Sequence, residues 1–408
     1  MSSQSHASAI LSPVRRVFVA AFVMDLAAAM IGLSVQFLGH KLEAPPLILG
    51  LLGMSSAAAY AISCLFSGRL SDRFGRKTLV VGSCLICAGA WLAMPYVTGY
   101  YQLLAILPIS GAAASMFWPP MQAWLSEITV GGRRRLVRNI GNFNIAWTAG
   151  LMIGPPIAGV AWALGAPAPF ILAALSLLGV LIMTVRMPAS VDGGGENVAE
   201  DFAGVQTDGD VARRYLHLAW IANFASWFGR GMQLVVFPKQ GADLGMSEGT
   251  IGLLVGAYLA GQLLMFLYLR NRSGWQFRLW PLLASLAAGA AGWLIAWQAQ
   301  SIYAFAAAFI LAGMGAGVTY ASSLFYSLRD VTGSRGAQAG IHEAVLGSGV
   351  FLGPLFGGAV AGWAGIAAPY LLTTVIFIIF GGLLFSVWRS TVRPVILAAQ
   401  ETLEAGGE

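Results

Sequence analysis

Two carboxylates stand where carboxylates are hard to keep ionised. Asp25 lies inside an apolar run from about Val17 to Gly39, and Glu343 inside another from about Ala339 to Trp363. A charged acid in such a run costs free energy unless it is paired or hydrated. An acid whose hydration and neighbours change between two arrangements of the chain takes up a proton in one and releases it in the other. Asp25 is the first candidate for that chemistry, because no basic residue on its own run neutralises it. Glu343, nearer the end of its run, is the second. Other polar side chains recur at helical spacing in comparable runs. Asp25, Gly32 and Gln36 share one face, as do Ser115, Trp118 and Gln122. Asn223, Trp227 and Arg230 make a third stripe, and Tyr320, Ser323 and Ser327 a fourth; Asn144, Trp147 and His342 add to these. Polar groups inside such runs mark interior faces by default. Some keep a second reading. Arg230 can snorkel to a lipid headgroup, His342 can be interfacial, and Trp91, Trp293 and Trp297 can face lipid as belt residues.

The runs that position these groups dominate the chain. Of its residues 58% are hydrophobic and 10% charged, against roughly 25% charged in soluble domains. This is the composition of an all-α polytopic membrane protein. Twelve spans are legible: about 17–39, 46–67, 78–97, 101–126, 139–163, 167–187, 215–237, 250–269, 278–298, 302–328, 339–363 and 367–388. Each is long enough to cross a bilayer. Pro119 and Pro120 interrupt the fourth span. Met1 to Arg16 is polar and lacks a signal-peptide cleavage pattern, so the first run is expected to stay as a helix.

The net charge is +6, yet it is not a nucleic-acid footprint. All Lys and Arg except Lys41, Arg230 and Lys239 fall in the N-terminus, the predicted inner loops or the C-terminus. Basic residues concentrate in cytoplasmic loops, so both termini are expected in the cytoplasm of a cell-membrane protein. The densest loop is Gly68-Arg69-Leu70-Ser71-Asp72-Arg73-Phe74-Gly75-Arg76-Lys77, between the second and third spans. No nucleophile–base cluster, phosphate-binding glycine loop or metal-ligand set occurs, so neither enzyme activity nor a cofactor is expected. Cys64, Cys84 and Cys87 are expected to pack inside helices.

Residues 188–210 are rich in Gly, Asp and Glu and read as a solvated linker. The chain therefore divides into 1–187, a linker over 188–213, and 214–408. An offset of 199 relates the halves. It carries Gly32 to Gly231, Arg73 to Arg272, and Gly75 to Gly274. It also carries Gly141, Gly150, Gly154 and Pro155 to Gly340, Gly349, Gly353 and Pro354, and Asn144 to Glu343. Such a repeat implies two six-helix halves of parallel topology.

Gly68-x-Leu70-x-Asp72-Arg73-x-Gly75-Arg76-Lys77 resembles the loop signature of the major facilitator superfamily, found between that family's second and third helices. The series Gly141, Gly150, Gly154-Pro155, Gly159 resembles the fifth-helix signature of its drug–proton antiporters, with Ala158 where the closing glycine pair begins. The copy Gly340, Gly349, Gly353-Pro354, Gly357-Gly358 fits that signature fully. Small residues four apart allow close helix approach, and the prolines kink. Together they suit rocking of one half against the other, or serve packing alone. Leu107 stands where those antiporters carry a fourth-helix arginine, and the sugar-porter loop pattern is absent after the sixth span.

The resemblance implies twelve transmembrane helices in two pseudo-symmetric halves, with helices 1, 4, 7 and 10 lining a central cavity. It implies that Asp72 faces the start of the eleventh span, where an anion is favoured. Glu127 then either pairs with Arg73 or Arg76 or is a surface acid. The function implied is secondary transport of a small amphipathic or cationic molecule through the lipid bilayer, with export in exchange for protons. Proton-coupled import and a non-transporting receptor are the alternatives.

Overall fold

The structure, a computed structural model, describes residues 12–44, 46–130, 132–187, 209–246, 248–272, 274–329, 335–395 and 397. Among these all regular structure is helical. The first half comprises α1 (Pro13–Lys41), α2 (Pro46–Phe74), α3 (Arg76–Ala93), α4 (Tyr100–Ser115), α5 (Trp118–Glu127), α6 (Gly132–Leu164) and α7 (Ala168–Val185). The second comprises α8 (Gly209–Asp243), α9 (Glu248–Leu269), α10 (Leu279–Gln298), α11 (Ile302–Arg329), α12 (Arg335–Ala364) and α13 (Ala368–Val387), followed by a π-helical turn at Trp388–Val392.

Among the described residues ten crossings are long and apolar enough to span a membrane by composition, with α4 and α5 forming one of them. Helices α2 and α8 complete the twelve at 29 and 35 residues. The composition of α8 is diluted by the polar residues Asn223, Arg230 and Gln233, all buried.

Three boundaries differ from the sequence reading. The basic turn shrinks to one residue. Helix α2 runs on to Phe74 and α3 begins at Arg76, leaving Gly75 between them at φ 87°, a region that suits glycine. Gly68 does not end the helix, and Ser71 Oγ donates back to its carbonyl at 2.7 Å. Likewise α6 starts at Gly132, ahead of the span expected from 139, so the basic cluster of Arg134, Arg135 and Arg138 is helical, and α8 starts at Gly209, within the expected linker. The rest of that linker, 188–208, lies outside the described residues. The fourth span breaks at Met116–Phe117, with Pro119 and Pro120 in the first turn of α5, where missing N–H donors do no harm.

Each half is tied together by its glycine–proline helix. In the first, a Cβ at Gly150 or Gly154 would meet the backbone of α1 at Phe22 and Leu26. In the second, one at Gly349 or Gly353 would meet α8 at Phe224 and Phe228. The two contacts are equivalent: the glycines are related by the 199 offset, and their partners on α1 and α8 by an offset of 202. They lie within halves, helix against helix. Pro155 and Pro354 sit inside α6 and α12 beside these contacts.

The halves meet elsewhere, along two seams at the end carrying the basic clusters. In one, α2 lies against α12, with Gly68, Cys64 and Ala61 facing Gly336, Gly340 and Gly347. In the other, Gly141 of α6 lies against Arg270 at the end of α9, and Arg270 Nη1 donates to Asn142 Oδ1 at 3.4 Å. Small residues at four-residue spacing let such backbones approach. Trp91 and Trp293 are not belt residues. Both are buried; Trp91 Nε1 donates to Ser110 Oγ at 2.7 Å, and Trp293 stacks between Tyr258 and Tyr370.

Candidate functional site

Glu343 is the hub of the interior. Two turns into α12, it is 3% exposed. Tyr60 OH on α2 donates to its Oε2 at 2.5 Å, and Gln122 Nε2 on α5 donates to its Oε1. Both donors come from the opposite half, so the carboxylate bridges the two halves. Asp25, from α1, lies close enough for its charge and that of Glu343 to interact, and the charges of both act on Tyr320. His342 is buried; its Nδ1 shares a hydrogen bond of 2.6 Å with Ser323 Oγ, and its Nε2 stands 3.7 Å from Glu343 Oε1. It is therefore an interior residue, not an interfacial one.

An aromatic cluster adjoins this polar centre. Trp147 of α6 has its ring centroid 5.1 Å from Tyr320, 5.9 Å from Phe266 and 6.5 Å from Trp227. Tyr320 stands edge-on to His342 at 4.9 Å. Trp147 Nε1 donates to Asn144 Oδ1 at 3.2 Å, so Asn144 and Trp147 act as a unit. Trp118 packs on Phe143 within the first half, one turn before Gln122. Gln36 belongs to α1, and its side chain lies outside the described residues. Several interior polar atoms make no hydrogen bond to protein: both amide atoms of Asn223 and of Gln262, Trp227 Nε1 and His342 Nε2. Buried polar groups are nearly always satisfied, so these atoms belong to a surface that water or a ligand completes.

Arg230 is buried, not snorkelling. Its Nη1 donates to Gln233 Oε1 at 2.7 Å and to the Val255 carbonyl at 2.9 Å, and its guanidinium lies over Tyr258 at 5.2 Å. Tyr60 and Gln262 are not among the residues the sequence singles out. Gln262 carried a signal, being a polar residue within an apolar span; Tyr60 sits in a run of small residues and carried little.

The latch at the basic end is built from the α2–α3 junction. Arg76 pairs with Asp72, donates to Glu127 Oε1 at 2.8 Å through Nη2, and donates to Ser71 Oγ at 2.5 Å. Asp72 Oδ1 and the Gly68 carbonyl crowd Gly336, in the first turn of α12. The anion thus meets the positive end of a helix from the other half. Arg73 lies over Phe74, while Lys77 Nζ donates to the Met187 carbonyl at 3.1 Å, capping the end of α7. Asp72→Asn is expected to weaken the latch by ~1 kcal/mol. Cys64 on the same seam is buried and reports it. With Cys84 and Cys87 replaced by Ser, maleimide labelling of Cys64 should rise about fivefold, the population equivalent of that energy. An unchanged rate would show that Asp72 does not hold the seam.

The arrangement resembles that of known proteins. The Major Facilitator Superfamily profile matches residues 17–207 and 219–404. The chain is 29% identical over 184 residues to multidrug resistance protein 1 of Bacillus subtilis (strain 168), covering 40% of this chain and 46% of that protein. It is 31% identical over 112 residues to the 4-hydroxybenzoate transporter PcaK of Pseudomonas putida, covering 28% and 25% respectively. The chain spans less than half the length of the curated relatives it matches. Its fold is similar to that of the human organic anion transporter MFSD10, with a TM-score of 0.70 at 16% identity over 92% of this chain and 100% of that one. Twelve crossings in two repeated halves, an acid-centred interior between them and a family profile over most of the chain lead to one assignment: this multi-pass membrane protein belongs to the Major Facilitator Superfamily.

Proposed function

We propose that the protein exports a small, partly apolar organic molecule in exchange for protons, by alternating access of residues 1–187 and 214–408 about the connection 188–213. The observation that carries this reading is the position of Glu343. Its carboxylate belongs to one half and both its hydrogen-bond donors to the other, while Asp25 lies within reach of its charge. Opening the seam removes the donors and changes the hydration of both acids. Proton affinity and conformation are then linked, which is what coupling requires. With the basic clusters in the cytoplasm, the closed end faces inward, both termini are cytoplasmic, and this arrangement is the outward-facing one. The likeness to a multidrug resistance protein suits export; the likeness to a 4-hydroxybenzoate transporter supports a second reading, proton-coupled import of a small organic acid.

The test uses the full chain in proteoliposomes of known orientation. A pH gradient as the sole energy source is expected to drive substrate against the proton flow, and collapse of the gradient with a protonophore to stop it. Movement in the same direction as the protons selects the second reading; movement indifferent to the gradient removes both. Tags at the C-terminus and in 188–213 should both report the cytoplasm, and an external linker overturns the orientation.

A further inference from the structure

The interior holds one buried cation whose partners are all neutral. Arg230 spends its Nη1 on an amide oxygen and a backbone carbonyl and lies over a tyrosine ring. Among the described residues no carboxylate comes within ion-pairing distance of it. The interior acids are differently placed. Glu343 has both oxygens engaged by Tyr60 and Gln122, so it is already served by the protein. A buried cation left with neutral partners favours an anion, above all a carboxylate, whose two oxygens match the guanidinium.

The neighbours of Arg230 point the same way. Helices α8 and α9 are antiparallel, and Arg230 bonds the carbonyl of Val255. Seven residues from that contact toward the basic end lie Asn223 on α8 and Gln262 on α9. Seven residues are nearly two turns and about 10 Å, so both side chains stand at one depth and near the angular position of the contact. Both are wholly buried, and neither amide group has a partner. Between them and Arg230 lies Trp227, whose Nε1 is also unpartnered. Its ring and that of Phe266, one turn beyond Gln262, both approach Trp147 and Tyr320. A charged head, a set of unfilled amide and indole groups, and a wall of aromatic rings therefore occupy one continuous face.

We propose that this face of α8 and α9 binds a small aromatic carboxylate, its ring against Trp227 at the edge of the Trp147–Tyr320 cluster and its carboxylate on Arg230. The inference rests on the reading that the chain moves a small organic molecule, and it replaces the amphipathic or cationic substrate expected from sequence with an anionic one. Trp227, Asn223 and Gln262 supply the remaining donors; Glu343 and Asp25 stay with the proton.

The experiment compares benzoate, benzamide and benzylamine, one ring with three charges, for binding to the purified full-length protein by calorimetry. Benzoate is expected to bind at least about tenfold tighter than benzamide, the scale of one charge-assisted hydrogen bond, and benzylamine weakest. Arg230→Gln should erase the benzoate preference, costing benzoate more than benzamide, whereas Arg230→Lys should keep part of it. The wild-type series needs no variant to fold. Equal binding of all three, tighter binding of benzylamine, absence of saturable binding by any of them, or benzoate binding unchanged by Arg230→Gln each overturns the proposal. Proteoliposomes that bind benzoate through Arg230 yet show no response to a pH gradient support this site and overturn only the proton coupling.

Discussion

Glu343→Gln is expected to reduce pH-driven transport to background while leaving substrate counterflow measurable. Asp25→Asn should do the same, and the double variant should be no worse than either. The size of the effect follows from where the hydrogen bonds go. Tyr60 and Gln122 each donate to Glu343 from the opposite half, and a bond to an ionised group is worth about 1.5–3 kcal/mol. A movement that breaks both links protonation to closure by a factor on the order of 100 or more. Glutamine keeps the size of Glu343 and can still accept from Tyr60, but it carries no exchangeable charge, so the halves move without the proton. Asp25 joins in because its charge interacts with that of Glu343, and residues acting as one unit lose their function together rather than additively. Tyr60→Phe removes one donor and should weaken coupling by about tenfold, seen as a flatter pH dependence of counterflow. Full pH-driven flux in Glu343→Gln would remove Glu343 from the mechanism. Full flux in Asp25→Asn alone would reduce the pair to Glu343.

The two acids differ in how far they could be read from sequence. Asp25 was conspicuous as a lone acid in an apolar run, and so took first place. Glu343 gains its standing from residues remote in the chain. Tyr60 lies 283 positions away, and nothing local to either residue announces their contact. What brings them together is the seam of Gly68 against Gly336, visible in sequence only as two glycines among 51. The halves themselves were legible, because the 199 offset survives in ordered glycine and proline positions. The direction in which those glycines face was not: a small-residue ridge looks the same whether it contacts its own half or the other. Trp91 and Trp293 show a similar limit. Tryptophan near the end of a span suits lipid headgroups and buried hydrogen bonds equally well, and only packing around Ser110 and Tyr370 decides. The basic turn was located correctly and drawn too long, since its charges ride on helix ends that tertiary contact extends.

Gly68→Val is expected to hold the protein open at the basic end and abolish transport without preventing folding. The carbonyl of Gly336 occupies the space a Cβ on Gly68 would need. Reciprocally, the Gly68 carbonyl, Asp72 Oδ1 and Arg76 Nη1 fill the space beside Gly336. Much of this obstruction is backbone, so rotating a side chain does not relieve it. Overpacking costs typically 1–3 kcal/mol where neighbours can adjust; here the cheapest adjustment is to part α2 from α12. The halves survive because their internal contacts are separate ones, Gly150 and Gly154 against α1 and Gly349 and Gly353 against α8. Parting the seam bares Cys64, so maleimide labelling of that cysteine, with Cys84 and Cys87 replaced by Ser, should approach that of the unfolded chain. Gly353→Val tests the other side of the distinction. Its Cβ would meet the Phe228 carbonyl and the Met232 amide inside the second half, so the expected loss is of folded protein. Gly32 and Gly252 serve as controls, since a Cβ at either meets nothing within 4 Å, and alanine at these positions should leave transport and Cys64 protection intact. Wild-type transport by Gly68→Val with Cys64 still protected would show that closure of the basic end does not depend on the glycine seam.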